Sequence, residues 1–239
     1  MVSNNQRKQI LQLKQKKHRL VSGLFVAEGE KVVEEFLNAS WECVLLFSIN
    51  AHFHPKAVNI NVIVMKQITH FKSPSPILGV FKFPNSTEAS QSDITIAVDG
   101  IRDPGNLGTL IRLCDWFGLS ELICSNTTVD CYNSKVVQAS MGSITRVQCR
   151  YEEDLGATLE QLKKPIYGAD LDGKSLYIST FPKQATFVFG SESHGISAEL
   201  NKKIDHKILI PNFRKGRGAE SLNVATASAI FLSEIFRGR

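Results

Sequence analysis

The sequence has no apolar run approaching the ~18 residues that a membrane span needs. Its first ten residues, MVSNNQRKQI, lack the apolar core of a secretory signal. Cysteine is sparse and odd in number: Cys43, Cys114, Cys124, Cys131 and Cys149, with no CxxC pair. A disulfide framework or structural zinc site is therefore not expected, and no metal is called for. Glycine and proline, 16 and 8 of 239 residues, are too few for a collagenous or low-complexity chain. No G-x-G-x-x-G occurs, so an ordinary dinucleotide oxidoreductase has no support. These absences lead to the expectation of a soluble, cytoplasmic protein. What is present is ordinary globular usage, 43% hydrophobic and 21% charged. A chain of this length buries about 70% of its unfolded surface, as one large domain or two small ones.

The charge is unevenly placed. Residues 1–20 hold Arg7, Lys8, Lys14, Lys16, Lys17 and Arg19 with no acid. Residues 201–217 hold Lys202, Lys203, Lys207, Arg214, Lys215 and Arg217 against Asp205. Segments of +6 and +5 in a chain of net charge +5 leave −6 for the remainder. Two basic segments on a mildly acidic body fit a nucleic-acid footprint, because phosphate contacts dominate such affinity. A solvated helix and a solvated loop would leave the same trace.

The hydrophobic pattern predicts a basic helix over 3–20, an apolar stretch Leu24–Ala27 and a helix over 28–38. Buried strands are expected at Val44–Phe47, Val62–Val64 and Ile77–Phe81. Pro84 to Asp93 is polar and turn-rich. The expected division is a first domain at 1–85, a linker at 86–93 and a second domain at 94–239. Beyond the linker, strands at Ile94–Val98, Leu122–Cys124, Arg146–Arg150, Ile166–Ala169, Phe187–Phe189 and Lys207–Ile210 alternate with helical patterns. The helices are expected at Asn106–Phe117, Asn133–Met141, Glu152–Leu162 and Ser221–Phe236. Such alternation implies an α/β fold with a parallel sheet covered on both faces. Ligands in such folds bind at the carboxyl ends of strands.

One motif misleads. Gly168 to Ser175, GADLDGKS, matches the phosphate-loop pattern G-x-x-x-x-G-K-[ST]. A phosphate loop must open a helix and present N–H groups to phosphate. Here Asp170 and Asp172 would oppose the phosphates, and the following LYISTFP is β-rich and stopped by Pro182. A strand–turn–strand reading is preferred over a triphosphatase acting through Lys174.

Three other strand-end loops carry the chemistry. The first runs from Asp99 through Pro104 and Gly105 to Asn106 and Arg112, with Asn106 expected as a helix N-cap. The second, Gly190-Ser-Glu-Ser-His-Gly195, sets Glu192 between two glycines. The third runs from Ile210-Pro211 through a basic stretch to Ser221-Leu222-Asn223-Val224, with Ser221 expected as an N-cap. Each has a bland reading as a cap, a surface cation or a turn.

In this order the three loops resemble the SpoU/TrmH family of RNA ribose methyltransferases, part of the SPOUT class. Lys135 to Val147 resembles the family pattern between the first two motifs, and Gly23 to Glu35 resembles its RNA-binding N-domain. The resemblance implies a Rossmann-like parallel sheet with a C-terminal trefoil knot, preceded by a small α/β RNA-binding domain. It implies S-adenosyl-L-methionine as methyl donor, a homodimer, and transfer to a ribose 2′-hydroxyl. Arg112 matches the family's catalytic arginine. Asn106, Glu192, Ser221 and Asn223 match its other active-site polar residues, and Gly190, Ile210 and Leu222 its cofactor-binding positions. A separate N-domain resembles the ribosomal-RNA members more than the compact tRNA members. The loop from Pro211 to Ser221 is a few residues longer than the family's spacing, with basic, glycine-rich residues inserted. A tRNA 2′-O-methyltransferase and a non-catalytic RNA-binding protein of the same fold are the competing readings.

Overall fold

The computed structural model describes residues 2–84, 92–214, 218 and 220–237. Most of the expected linker lies outside the described residues. The chain groups into two compact units, residues 1–88 with 130–145 and residues 89–129 with 146–239. The stretch 130–145 packs with the first unit.

The first unit carries a four-stranded sheet of order β1-β4-β2-β3. Its strands are β1 (Leu24–Glu28), β2 (Cys43–Ser48), β3 (Val58–Asn59) and β4 (Ile77–Lys82). The helices are α1 (Asn4–Gln12), α2 (Lys16–Ser22), α3 (Glu30–Asn38), α4 (Val62–Ile68) and, from the returning segment, α6 (Ser134–Ser140). Two expectations need correction. The basic helix over 3–20 is two short helices, and Arg19 is not a surface cation. It is 2% exposed, its Nε and Nη2 donating to Asp130 Oδ2 at 2.8 and 2.5 Å and its Nη1 to the Leu13 and Lys14 carbonyls at 2.8 and 2.9 Å. Val62–Val64 is helical, not a strand. The Asn61 side chain accepts the Val64 N–H at 2.9 Å, and an N-cap with tertiary packing overrides the β preference of three branched residues.

Aromatic packing explains why 130–145 joins this unit. Tyr132 stacks on Phe83 at 4.3 Å and meets Phe25 at 5.0 Å, and Phe25 also packs on Phe36 and Phe81. Pairs of this kind contribute about 0.5–1.5 kcal/mol each beyond their buried area.

The second unit is built on a six-stranded sheet of order β10-β8-β9-β5-β6-β7. In chain order these are β5 (Ile94–Asp99), β6 (Glu121–Ser125), β7 (Gln148–Glu152), β8 (Ile166–Ser175), β9 (Ala185–Gly190) and β10 (His206–Leu209). Every pairing is parallel. All six residues of β5 are buried, as expected of a parallel strand covered on both faces. On one face Ala97, Ile123 and Val188 pack with Leu155 and Leu159 of α7 (Leu155–Gln161) and Leu200 of α8 (Ala198–Asn201). On the other, Phe189 meets Phe231 of α9 (Val224–Phe236) edge-on at 5.4 Å.

The helix α5 (Pro104–Trp116) lies parallel to α9. Asn106 and Asn223 are bonded at their starts and the rings of Phe117 and Phe236 lie 5.1 Å apart at their ends. The phosphate-loop look-alike lies within β8, which pairs β10 in two registers across a bulge. A 3-10 turn at Leu176–Ile178 follows it where a phosphate loop needs a helix. Among the described residues no helix is long and apolar enough to cross a membrane.

Candidate active site

The site forms at the carboxyl ends of β5, β9 and β10, on the side of β5 that faces β9. The chain runs outward from β5 to β6 and β7, then returns to the other side, and such switch points are where open parallel sheets take ligands.

The first motif enters from β5. The cap of α5 is Asp103, whose Oδ1 accepts the Asn106 N–H at 2.9 Å, with Pro104 at the first helical position. Asn106 is therefore not the N-cap. Relieved of that task, its side chain turns outward from the first turn. The third motif starts α9, where the cap is Asn223 rather than Ser221. Asn223 Oδ1 accepts from Ala225 N–H at 3.0 Å and Thr226 N–H at 3.2 Å. Its Nδ2 is left to donate to Asn106 Oδ1 at 2.9 Å.

With Asn106 Oδ1 occupied, its Nδ2 faces the second motif and donates to Glu192 Oε1. Each amide has a donor end and an acceptor end, so the α9 cap fixes the direction of the whole chain. Asn223, Asn106 and Glu192, read from three separate loops, are thus brought into one hydrogen-bonded line. Ser221 sits two residues before Asn223, exposed, and lines the adjoining cavity.

The second motif is a closed hairpin. Ser191 and Gly195 exchange backbone hydrogen bonds of 3.0 and 2.8 Å, leaving Glu192, Ser193 and His194 at the tip. Gly195 turns the chain at φ +65°. Gly190 is glycine for a different reason. A Cβ there would stand 2.0 Å from the Gly195 carbonyl carbon and 2.2 Å from the Ile196 nitrogen. The missing side chain lets the loop close on itself.

Beside this line lies a cavity of about 740 Å³, within the 300–1,000 Å³ range of small-molecule sites. Gly190, Glu192, Ile210, Ser221 and Leu222, all predicted from the sequence, line it. Phe189, Val224 and Phe231 give it an apolar wall. The sequence reading missed Ala169, Asp170 and Leu171, which line it from the bulge of β8. Burial works against the Asp170 carboxylate, but bonds from Lys207 and from the Asp172 and Leu171 N–H groups outweigh it and hold its pKa below the usual value. Asn201 also reaches the cavity, and its Oδ1 is buried with no partner among the described residues.

Arg112 stands apart. It is exposed on α5 and outside the cavity lining. Six residues beyond Asn106, it lies about 9 Å further along the axis and about 120° around it. The nearby Asp115 pairs with Arg146 at 2.9 Å, and Arg112 has no hydrogen bond or ion pair among the described residues.

Residues 93–233 match the SpoU rRNA Methylase family. The chain belongs to that family. Residues 4–79 match an MRM3-like substrate binding domain. The chain is 28% identical over 229 residues to a Bacillus subtilis protein, 23S rRNA (guanosine(2553)-2'-O)-methyltransferase RlmP, covering 91% of this chain and 90% of the relative. A solved structure assigned to the TrmH family of RNA methyltransferases, from Porphyromonas gingivalis, is 36% identical with a TM-score of 0.87 and full coverage of both chains. The AdoMet-bound rRNA methyltransferase from Sinorhizobium meliloti is 29% identical, with a TM-score of 0.83 over 99% of this chain and 96% of that one.

Proposed function

We propose that this chain is a cytoplasmic enzyme that transfers a methyl group from S-adenosylmethionine to a ribose 2′-hydroxyl of ribosomal RNA. The observation that carries the proposal is the line Asn223–Asn106–Glu192 at the rim of the cavity. The cap of α9 accounts for Asn223, but a carboxylate held by Asn106 beside an apolar cavity is what placing a substrate hydroxyl requires, and RNA binding alone does not call for it. The family membership and the 2'-O activity named for the Bacillus subtilis relative support the same reading.

The residues present fit the methyl donor. An apolar wall of Ile210, Leu222 and Phe231 suits a nucleobase, and the orphaned Asn201 Oδ1 offers an acceptor to a bound donor group. When bound, that molecule supplies an electrophilic methyl group. The chain's own residues do the rest. Asn106 orients Glu192, and Glu192 with Ser221 is placed to align the ribose and take up the hydroxyl proton. Arg112 carries a permanent charge. Exposed and unpaired among the described residues, it is suited to hold the phosphate beside the target ribose and polarise its hydroxyl. In-line transfer demands near-attack geometry, which is what a rigid hydrogen-bonded rim provides.

Three further parts belong to this proposal. The first unit, with Arg7, Lys8, Lys14, Lys16 and Lys17 on α1, α2 and the turn between them, is the RNA-binding part. The C-terminus is knotted. In support, β10 is the outermost strand while α9 packs on α5 and β9, on the inner side of β8. The enzyme is a homodimer, and Trp116, 85% exposed on α5, is an apolar residue that a second copy would cover.

The test is methyl transfer from labelled S-adenosylmethionine to RNA from cells lacking this protein, followed by alkaline digestion. Label in alkali-resistant dinucleotides from ribosomal RNA is expected. Label in mononucleotides would mean base methylation and refute the ribose assignment. Label confined to transfer RNA would refute the substrate.

A further inference from the structure

The sequence singled out Glu192 but not what holds its loop in place. The loop leaves the sheet at Gly190, which is opposite Asp99 in the β5–β9 ladder. It comes back at Ser197, whose N–H donates to Asp99 Oδ2 at 2.8 Å. One residue therefore meets both ends of an eight-residue loop, with its backbone at one end and its carboxylate at the other. Ser197 is the N-cap of the four-residue helix α8, a position whose N–H has no partner within the helix.

Asp99 is built for this contact. It is only 8% exposed at the end of β5, and a buried carboxylate accepting an N–H makes a strong, charge-assisted bond. The next residue, Gly100, turns away at φ +68° and gives its N–H to Ser125 Oγ at 2.9 Å. That turn leaves the Asp99 side chain facing the 190–197 loop. The hairpin bonds between Ser191 and Gly195 keep the loop's shape, but they do not fix where it stands on the sheet. Asp99 does. The height of the loop in turn sets where Glu192 receives the Asn106 amide.

We propose that Asp99 is a positioning residue for methyl transfer, acting through Ser197 to place Glu192. The proposal rests on the methyltransferase reading above. Asp99→Ala removes the acceptor, while Asp99→Asn keeps a carbonyl oxygen that can take the same N–H. Ser197→Pro removes the donor at a residue whose φ of −57° suits proline, and its ring also displaces the Asp99 carboxylate.

The experiment has two readouts. The first is amide exchange of Ser191, Gly195 and Ser197 in the ligand-free protein. The second is methyl transfer, resolved into kcat and the KM for RNA. In Asp99→Ala, exchange over this loop should quicken and kcat should fall about 10-fold or more with the RNA KM nearly unchanged, since small misplacements at a reacting centre carry such losses. Asp99→Asn should restore both readouts to within about 3-fold of wild type. Ser197→Pro should match Asp99→Ala in kcat, and the double variant should be no worse than either single one, because both remove one bond.

The proposal is overturned by wild-type kcat in Asp99→Ala, by failure of Asp99→Asn to rescue, or by additive losses in the double variant. Should Asp99→Ala not fold, Asp99→Asn and Ser197→Pro decide the matter by the same criteria. Absence of methyl transfer by the wild-type protein sinks the methyltransferase reading instead. The exchange data would still show whether Asp99 holds the loop.

Discussion

Asn223 Nδ2 donates to Asn106 Oδ1 at 2.9 Å, joining two residues 117 apart in sequence. The bond gives Asn106 a single orientation, amide nitrogen toward Glu192. Asn106→Ala should therefore release Glu192 and slow single-turnover methyl transfer by about 10–100-fold. Asn106→Asp should be worse than alanine, since it sets one carboxylate against another. The rates of the two variants, compared at pH 8, check the order. Equal rates, or a faster aspartate variant, would remove the alignment from the mechanism.

Arg112→Ala should lower turnover by roughly 10²-fold or more, with little change in the affinity for S-adenosylmethionine, because Arg112 lies outside the cavity lining. Arg112→Lys should recover only part of the loss, as an ammonium lacks the planar fork that grips phosphate. Calorimetric titration of the cofactor alongside turnover separates the two effects. A variant that turns over normally would take Arg112 out of the proposed role.

Much of this was legible in the sequence, for identifiable reasons. Parallel strands buried on both faces read as short apolar runs, so Ile94–Val98 and Phe187–Phe189 fell inside real strands. The caps of α5 and α9 were misplaced because Asn106 and Ser221 are themselves good capping residues. Asp103 before Pro104 was the signal that could have placed the first cap. Asn61 hid a helix behind the strand-like Val62–Val64. The grouping of 130–145 with the first unit depends on Tyr132 and Asp130 meeting residues far away in sequence. No local pattern encodes that. The same holds for Asp99, whose bond to Ser197 spans 98 positions.

Gly190→Ala tests whether the glycine serves the loop's closure. The added carbon would overlap backbone atoms of Gly195 and Ile196, and backbone cannot swing aside as a side chain can. Overpacking of this kind costs about 1–3 kcal/mol. The urea midpoint should fall accordingly, and cofactor affinity should fall with it because the loop lines the cavity. Unchanged stability with lost affinity would instead mean that the glycine makes room for the ligand.

The first unit should show a pH dependence that originates at His70. Burial, together with Lys14 and Arg19 nearby, brings its pKa down from 6.5 to about 4, although the Ile10 carbonyl, 2.8 Å from Nε2, works the other way. The folded state thus resists protonation that the unfolded state accepts. Stability is full above pH 6.5, declines as pH falls from 6.5 toward about 4, and levels off below that, where both states are charged. A gap of this size corresponds to about 3 kcal/mol. The neighbouring Glu28 acts in the opposite sense. Burial raises its pKa despite bonds from Thr69 and the His70 N–H, so its contribution declines as pH rises through 4.5. The His70 share is isolated by subtracting His70→Gln, which keeps a donor for the Ile10 carbonyl and cannot titrate. Urea denaturation of both proteins between pH 4.5 and 7.5 should show the wild-type curve falling away from the variant on the acid side. Parallel curves would mean that His70 titrates normally in the fold.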